Sequence, residues 1–366
     1  MNCLCMVCVS SAKKKILFLD KVFLRGKKQT AVTGAERFNL HLIGQLQEQG
    51  LSITLPAAKS WTEDIAAIAD RGGLNFIPLP DLFRVAWPNA ALVVFYFFRR
   101  TFDKLILGNV GRNLLPSVRF LQRRGCFRDV LLLAHREPTS LFLKMLHDIP
   151  VQIVAVNEQI AARFREAGYD NTATYFGEIR KDFFHSSSKD RAEDKTINYC
   201  VFGNLDPAWK GSDTAIEAFR SLPEDIRNKV HLHLAGFASN RPAIDDPTVT
   251  AYSWIDESEV PEFLNKMDVL IVPSRDTHIM KETFSQAAVQ GMLCGLPLIV
   301  NDLPVLREKV QSGGGLIFHD CAELVEHIVT LSRDSMLREK LGAEAEEIAR
   351  KQFVWDSQYF VDTVLF

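Results

Sequence analysis

The chain has 366 residues, of which 47% are hydrophobic and 24% charged, and 43 basic side chains against 45 acidic ones leave a net charge of −2. These values exclude a disordered tail, a collagen-like chain and a polytopic membrane protein, and they give no global basic field for nucleic acid. The length predicts two domains of about 150 residues or more each.

The first eleven residues, Met1 to Ser11, are mildly apolar and the basic run Lys13-Lys14-Lys15 follows them. A secretory signal places its charges before the apolar stretch, so none is expected here. Cys3, Cys5 and Cys8 are close enough in sequence to share a metal, but no histidine or second cysteine pair accompanies them. Ordinary thiols are the simpler reading. The other cysteines, at 126, 200, 294 and 321, are far apart. Reduced thiols and a cytoplasmic location are expected.

Short apolar runs then alternate with amphipathic stretches. Ile16 to Asp20 reads as a buried strand, Glu36 to Gln49 as a helix with Phe38, Leu42, Ile43 and Leu46 on one side, and Leu51 to Leu55 as a second strand. No window reaches the about 20 apolar residues of a spanning helix. The nearest, Val85 to Phe98, is broken by Pro88 and Asn89 and ends in Arg99-Arg100. It suits either a buried core segment or a segment seated in a membrane interface. Further strands are expected at Lys104 to Leu107, Val130 to Ala134 and Val151 to Val156, and a helix at Gln159 to Ala167.

The polar segment from Ser186 to Lys195 reads as a linker. Beyond it the alternation restarts. Strands are expected at Asn198 to Phe202, Val230 to Ala235, Val269 to Val272 and Leu298 to Val300. Helices are expected at Asp213 to Arg220, Glu259 to Lys266, Thr283 to Leu293, Leu324 to Leu331 and Met336 to Lys351. Alternation of this kind predicts parallel sheets covered on both faces, hence two doubly wound α/β domains. The domains are expected at 13–188, read below as the acceptor-binding domain, and at 196–351, read as the donor-binding domain, with a last helix near 352–366 returning to the first. Ligands of such sheets bind at the carboxyl ends of strands.

Four segments follow strand ends. Pro273-Ser274-Arg275 leads to Lys281-Glu282-Thr283-Phe284-Ser285, where a helix start offers free N–H groups to an anion. A carboxylate there, Glu282, repels phosphate but suits sugar hydroxyls. Gly203-Asn204 leads to Lys210-Gly211, a point charge for a diphosphate beside a glycine that lets the ligand approach. Thr33-Gly34-Ala35-Glu36-Arg37 lies between the first strand and helix, and His135-Arg136-Glu137-Pro138 follows Val130 to Ala134. A histidine there suits hydrogen bonding or proton transfer.

Together these segments resemble the retaining glycosyltransferases of the GT-B fold, the large group 1 (family 4) type that includes bacterial mannosyl- and glucosyltransferases. That family carries a G-R…K-G segment, an E-x-F-G-x-x-x-x-E stretch (the E-x7-E motif) ending in G-x-P, an early G-G-A-E-R and often H-E-P. The counterparts are Gly203…Lys210-Gly211, Glu282 to Pro297, Thr33 to Arg37 and His135…Glu137-Pro138, and Phe353-Val354-Trp355-Asp356 is similar to the closing F-x-W-[DE]. The resemblance covers about residues 15 to 366 and is densest from 197 to 310. It implies two Rossmann-like domains facing a cleft. It also implies hexose transfer from a nucleotide-sugar, UDP- or GDP-linked, with retention and without an obligatory metal or other cofactor.

The resemblance implies Glu282, His135 and Lys210 as catalytic residues. It places Gly34, Gly203, Asn204, Lys210, Gly211, Arg275, Thr283, Phe284, Ser285 and Gln290 around the donor. The acceptor is expected to be a glycan or a lipid-linked molecule of cell-envelope polysaccharide or lipopolysaccharide synthesis, reached on the inner face of the membrane. Two positions depart from the family: Asn204 replaces its arginine and Gln290 its second glutamate. The loss of the arginine is expected either to weaken donor binding or to be met by another cation, such as Arg275 or Arg180. The departures leave open a non-catalytic relative that binds a partner, or another nucleotide-sugar enzyme such as an epimerase.

Overall fold

The computed structural model describes residues 13–27, 34–81, 87–186, 196–237, 244–277 and 281–366, with the side chains of 87 and 88 excepted. The three early cysteines, the segment 30–33 and most of the expected linker lie outside the described residues.

Thirteen strands are described. In chain order they are β1 Lys15–Leu19, β2 Ser52–Ala58, β3 Leu74–Leu79, β4 Lys104–Leu107, β5 Asp129–Ala134, β6 Val151–Ala155, β7 Thr172–Thr174, β8 Ile197–Phe202, β9 Val230–Phe237, β10 Val249–Ser253, β11 Val269–Val272, β12 Leu298–Asn301 and β13 Gly315–Phe318. They form two sheets, ordered β3-β2-β1-β4-β5-β6-β7 and β10-β9-β8-β11-β12-β13, and every pairing is parallel. The central strands are mainly apolar because helices cover both faces: β4, which starts with Lys104, and β11 are buried along their whole length. In each sheet the chain winds outward one way, returns, and winds the other way. The first sheet reverses between β1 and β4, the second between β8 and β11.

Two compact units result, 1–174 with 356–366, and 175–355. The boundary therefore falls at Thr174/Tyr175 and not near residue 190. Residues after Tyr175 are bound to the second unit's own C-terminal stretch. Glu178 N donates to Phe353 O at 2.7 Å and Trp355 N to Glu178 O at 3.1 Å. Gly177 is required there, since a Cβ would stand 2.4 Å from the Val354 carbonyl carbon. The last residues, 356–366, fold with the first unit: Phe360 and Leu365 are fully buried and the Lys104 ammonium bonds the Leu365 carbonyl.

The stretch expected as either core or interface is a helix, Trp87–Phe97, with a buried and an exposed side. Ala90, Val93 and Phe97 are buried, whereas Phe95 is 71% and Tyr96 45% exposed. Among the described residues no helix is long and apolar enough to cross a membrane.

Candidate active site

In the second unit the ends of β8 and β11 carry the expected segments. Gly203 closes β8 with φ of 125°, and a Cβ on Gly236, at the end of β9, would overlap the Gly203 carbonyl at 1.6 Å. Next comes a single turn, Ala208–Lys210, ended by Gly211 at φ 73°. Only glycine fits at 211, because a Cβ would lie 2.0 Å from the Pro273 carbonyl. The turn is thus pressed onto the end of β11. Arg275 stitches it in place, donating from its backbone N to Trp209 O at 2.7 Å and from its guanidinium to Ala208 O at 2.7 Å.

This placement brings Lys210 to Glu282. Lys210 Nζ lies 2.6 Å from Glu282 Oε2, and Ser274 Oγ donates to the same oxygen at 3.3 Å. The side chains are 21% and 9% exposed, so the pair is mostly withdrawn from water yet reachable. The ammonium also sits over the Trp209 ring, 4.3 Å from its centroid. Residues 72 apart in sequence thereby form one acid–cation pair at the point where the sheet order reverses.

Several expected roles are corrected. The helix opens at Gln286, not at Thr283. Ser285 precedes it at φ 61°, a left-handed conformation that stops the helix from extending back, and the resembled family has glycine there. The first-turn N–H groups are therefore those of Gln286 and the two alanines after it, while Thr283 lies outside the helix. Phe284 is buried, its ring 4.8 Å from that of Phe176, so its side chain belongs to the core.

Arg275, expected as a donor-site cation, is held by a carboxylate in this structure. Its guanidinium grips both oxygens of Asp213 at 2.8 and 2.9 Å. Arg180 is likewise engaged, by Glu178 and Glu257. Asn204 is exposed, its Oδ1 accepting from Asp206 N at 3.4 Å.

Gln290 is buried and donates from Nε2 to Glu178 Oε2 at 2.8 Å. Glu178, only 1% exposed, escaped the sequence reading, as did Lys309. The Lys309 ammonium lies 4.4 and 4.6 Å from the ring centroids of Phe284 and Phe353. Burial pulls its pKa down to about 8, opposed by the charges of Glu308 and Glu282. A lone lysine in an amphipathic helix, Pro304–Val310, gives no sequence signal for such burial.

In the first unit Gly34 begins the helix Gly34–Glu48, and His135 follows β5. His135 is 7% exposed, and its Nε2 lies 3.2 Å from Asn39 Oδ1. Asn39 Nδ2 in turn donates to Asp20 Oδ2 at 2.7 Å. With the amide nitrogen so used, Asn39 offers its oxygen to an Nε2–H, which assigns that tautomer to His135. Burial lowers the His135 pKa to about 4, helped by the charge of Arg136. Burial raises that of Asp20 to about 6 against hydrogen bonds from Asn109, Val22 and Asn39. Gly108 has no room for a side chain, since a Cβ would stand 2.6 Å from Asp20 Oδ2. His135 is thus a neutral member of a buried chain. The residue directly before Glu137-Pro138 is the exposed Arg136.

Two parallel doubly wound sheets, each with charged groups near its switch point, define a two-domain α/β protein. Comparison with known proteins narrows this class. Residues 197–334 match the family described as glycosyl transferases group 1. An uncharacterised glycosyltransferase of Methanocaldococcus jannaschii is 24% identical over 262 residues, 70% of each chain. The structure of Anabaena HepE in complex with UDP and glucose is similar with a TM-score of 0.71 at 17% identity, covering 96% of this chain and 99% of that one. Sucrose-phosphate synthase from Thermosynechococcus elongatus is similar with a TM-score of 0.74 at 17% identity, over 94% and 96%. The fold is that of the GT-B glycosyltransferases, and the family match in the second unit, with the archaeal relative, supports a glycosyltransferase.

Proposed function

We propose that this protein transfers a hexose-type sugar from a UDP- or GDP-sugar to a glycan or lipid-linked acceptor of surface polysaccharide synthesis, with retention at the anomeric carbon. The observation that carries this reading is the Lys210–Glu282 pair on Ser274, at the sheet's switch point inside the matched region. In the reaction the bond from the sugar's C1 to the diphosphate oxygen breaks and a bond from the acceptor oxygen to C1 forms on the same face. The acceptor's proton leaves with the nucleoside diphosphate. Lys210 meets the charge growing on that leaving group, together with the N–H groups at the start of the helix Gln286–Leu293. Glu282 accepts hydrogen bonds from sugar hydroxyls and fixes the ring. HepE, a structural relative, binds UDP and glucose, which favours UDP as the first donor to test.

Thermal unfolding with UDP, GDP, ADP, dTDP and CMP, each at millimolar concentration, tests the donor. A ligand at a hundred times its dissociation constant adds about 2.7 kcal/mol, or several degrees for a chain of this size. UDP or GDP is expected to raise the midpoint. No shift with any nucleotide would favour the non-catalytic alternative, which the exposed Asn204 and the buried Gln290 keep in view.

The exposed Phe95 and Tyr96, followed by exposed Arg99 and Arg100, support work at a membrane surface. The protein is expected to sediment with vesicles containing anionic lipid, and Phe95→Ser with Tyr96→Ser to weaken this at least threefold. Equal recovery with and without vesicles would end that part of the reading.

A further inference from the structure

The first unit holds a cavity of about 600 Å³ at the carboxyl ends of β1, β4 and β5, where the first sheet reverses. That volume is typical of pockets that enclose a small organic ligand. Four cations line it, Lys21, Arg25, Arg112 and Arg136, against two carboxylates, Glu36 and Glu137. None of the four cations makes an ion pair with another described residue. This contrasts with Arg275 and Arg180 of the second unit, which are both held by carboxylates.

The crowding is built in. Lys21 N donates to Asn109 O at 2.8 Å, tying the segment after β1 to the loop after β4. A Cβ on Gly111 would lie 2.7 Å from Lys21 Cδ, so the glycine lets the lysine stem rest on that loop. Burial and the charges of Arg25 and Arg136 together depress the pKa of Lys21, with Asp20 opposing them. Like charges held this close destabilise a resting protein unless an anion joins them. A carboxylate brings one negative charge. A phosphate or diphosphate brings more, and its oxygens match guanidinium forks.

The resemblance already implies that the first domain takes the acceptor; we propose that this acceptor carries a phosphate or diphosphate group, gripped in this cavity by Lys21, Arg25 and Arg136, with Arg112 beside them. The role as acceptor site rests on the glycosyltransferase reading, whereas the anion site itself does not.

Calorimetric titration of the full chain with inorganic pyrophosphate tests it, using wild type, Lys21→Ala, Arg136→Ala and Lys210→Ala. Pyrophosphate is expected to bind in the cavity, and Lys21→Ala and Arg136→Ala each to weaken that binding at least tenfold while Lys210→Ala retains it. Arg136 is exposed, and Lys21→Gln keeps the stem on Gly111, so the test survives if Lys21→Ala unfolds. Wild-type binding in the Lys21 and Arg136 variants, or binding lost only in Lys210→Ala, would overturn the proposal. A second arm compares glucose 1-phosphate and farnesyl diphosphate with methyl glucoside and farnesol. Preference for the sugar phosphate assigns a soluble acceptor, and preference for the prenyl diphosphate a lipid-linked one. Equal affinity for the phosphate-free compounds overturns it. Failure here beside a UDP-induced midpoint shift leaves the transferase reading standing. Success here without any nucleotide shift leaves an anion site and removes the transferase.

Discussion

Lys210→Ala and Glu282→Ala are each expected to slow sugar transfer at least tenfold, read as initial rate of product formation at saturating donor. A hydrogen bond to a charged group is worth about 1.5–3 kcal/mol, and about 1.4 kcal/mol is a factor of ten in rate. The 2.6 Å contact adds a second consequence. With Lys210 removed, Glu282 keeps its negative charge in a site that is 9% exposed for that side chain, and there it opposes an incoming diphosphate. Lys210→Ala should therefore be the more damaging single change. Adding Glu282→Gln to it should recover part of the donor affinity, because the neutral amide no longer repels the phosphates. The two effects are then non-additive, as expected for groups in contact. Full transfer by either single variant would remove the pair from the reacting centre.

The central strands were legible and the sheet edges were not. β1, β2, β4, β5 and β6 in the first sheet, and β8, β9, β11 and β12 in the second, are apolar runs buried by helices on both faces. The four strands that periodicity missed, β3, β7, β10 and β13, are the four outermost strands of the two sheets. An edge strand is half-covered, so its sequence lacks the continuous apolar run. β3 carries Pro78, β7 has three residues, and only one residue in each of β10 and β13 is buried.

The site followed the same logic. Lys210 and Glu282 stand at the ends of central strands, and their types together with the glycines beside them announced a site. What each side chain reaches was not announced. Arg275 is paired with Asp213, 62 residues away, and Gln290 donates to Glu178, 112 residues away. Such pairings are set by the tertiary fold, and local pattern carries no trace of them. The helix start failed for a local reason: the apolar spacing runs through Thr283 to Leu293, but the left-handed Ser285 breaks it.

His135→Gln is expected to flatten one arm of the pH dependence of stability and expose another. The folded histidine titrates near 4 and an unfolded one near 6.5. Between those values the unfolded chain binds the proton and the folded chain does not, so this group costs stability as pH falls from 6.5 to 4. The integrated effect is about 3 kcal/mol. Asp20 acts with the opposite sign. Its folded carboxyl takes up a proton near 6, against 3.8 for the free side chain, so it adds stability as pH falls through the same range. Joined through Asn39, the two groups offset each other in the wild type. Glutamine keeps an N–H for Asn39 but cannot titrate. Urea midpoints at pH 4, 5, 6 and 7 should show the wild type ahead of His135→Gln at pH 7 and the gap closing by about 3 kcal/mol at pH 4. The variant's own stability should rise from pH 6 towards 4 as Asp20 protonates unopposed. Parallel curves for the two proteins would mean that His135 is not the buried neutral link between β5 and the Asp20 cluster.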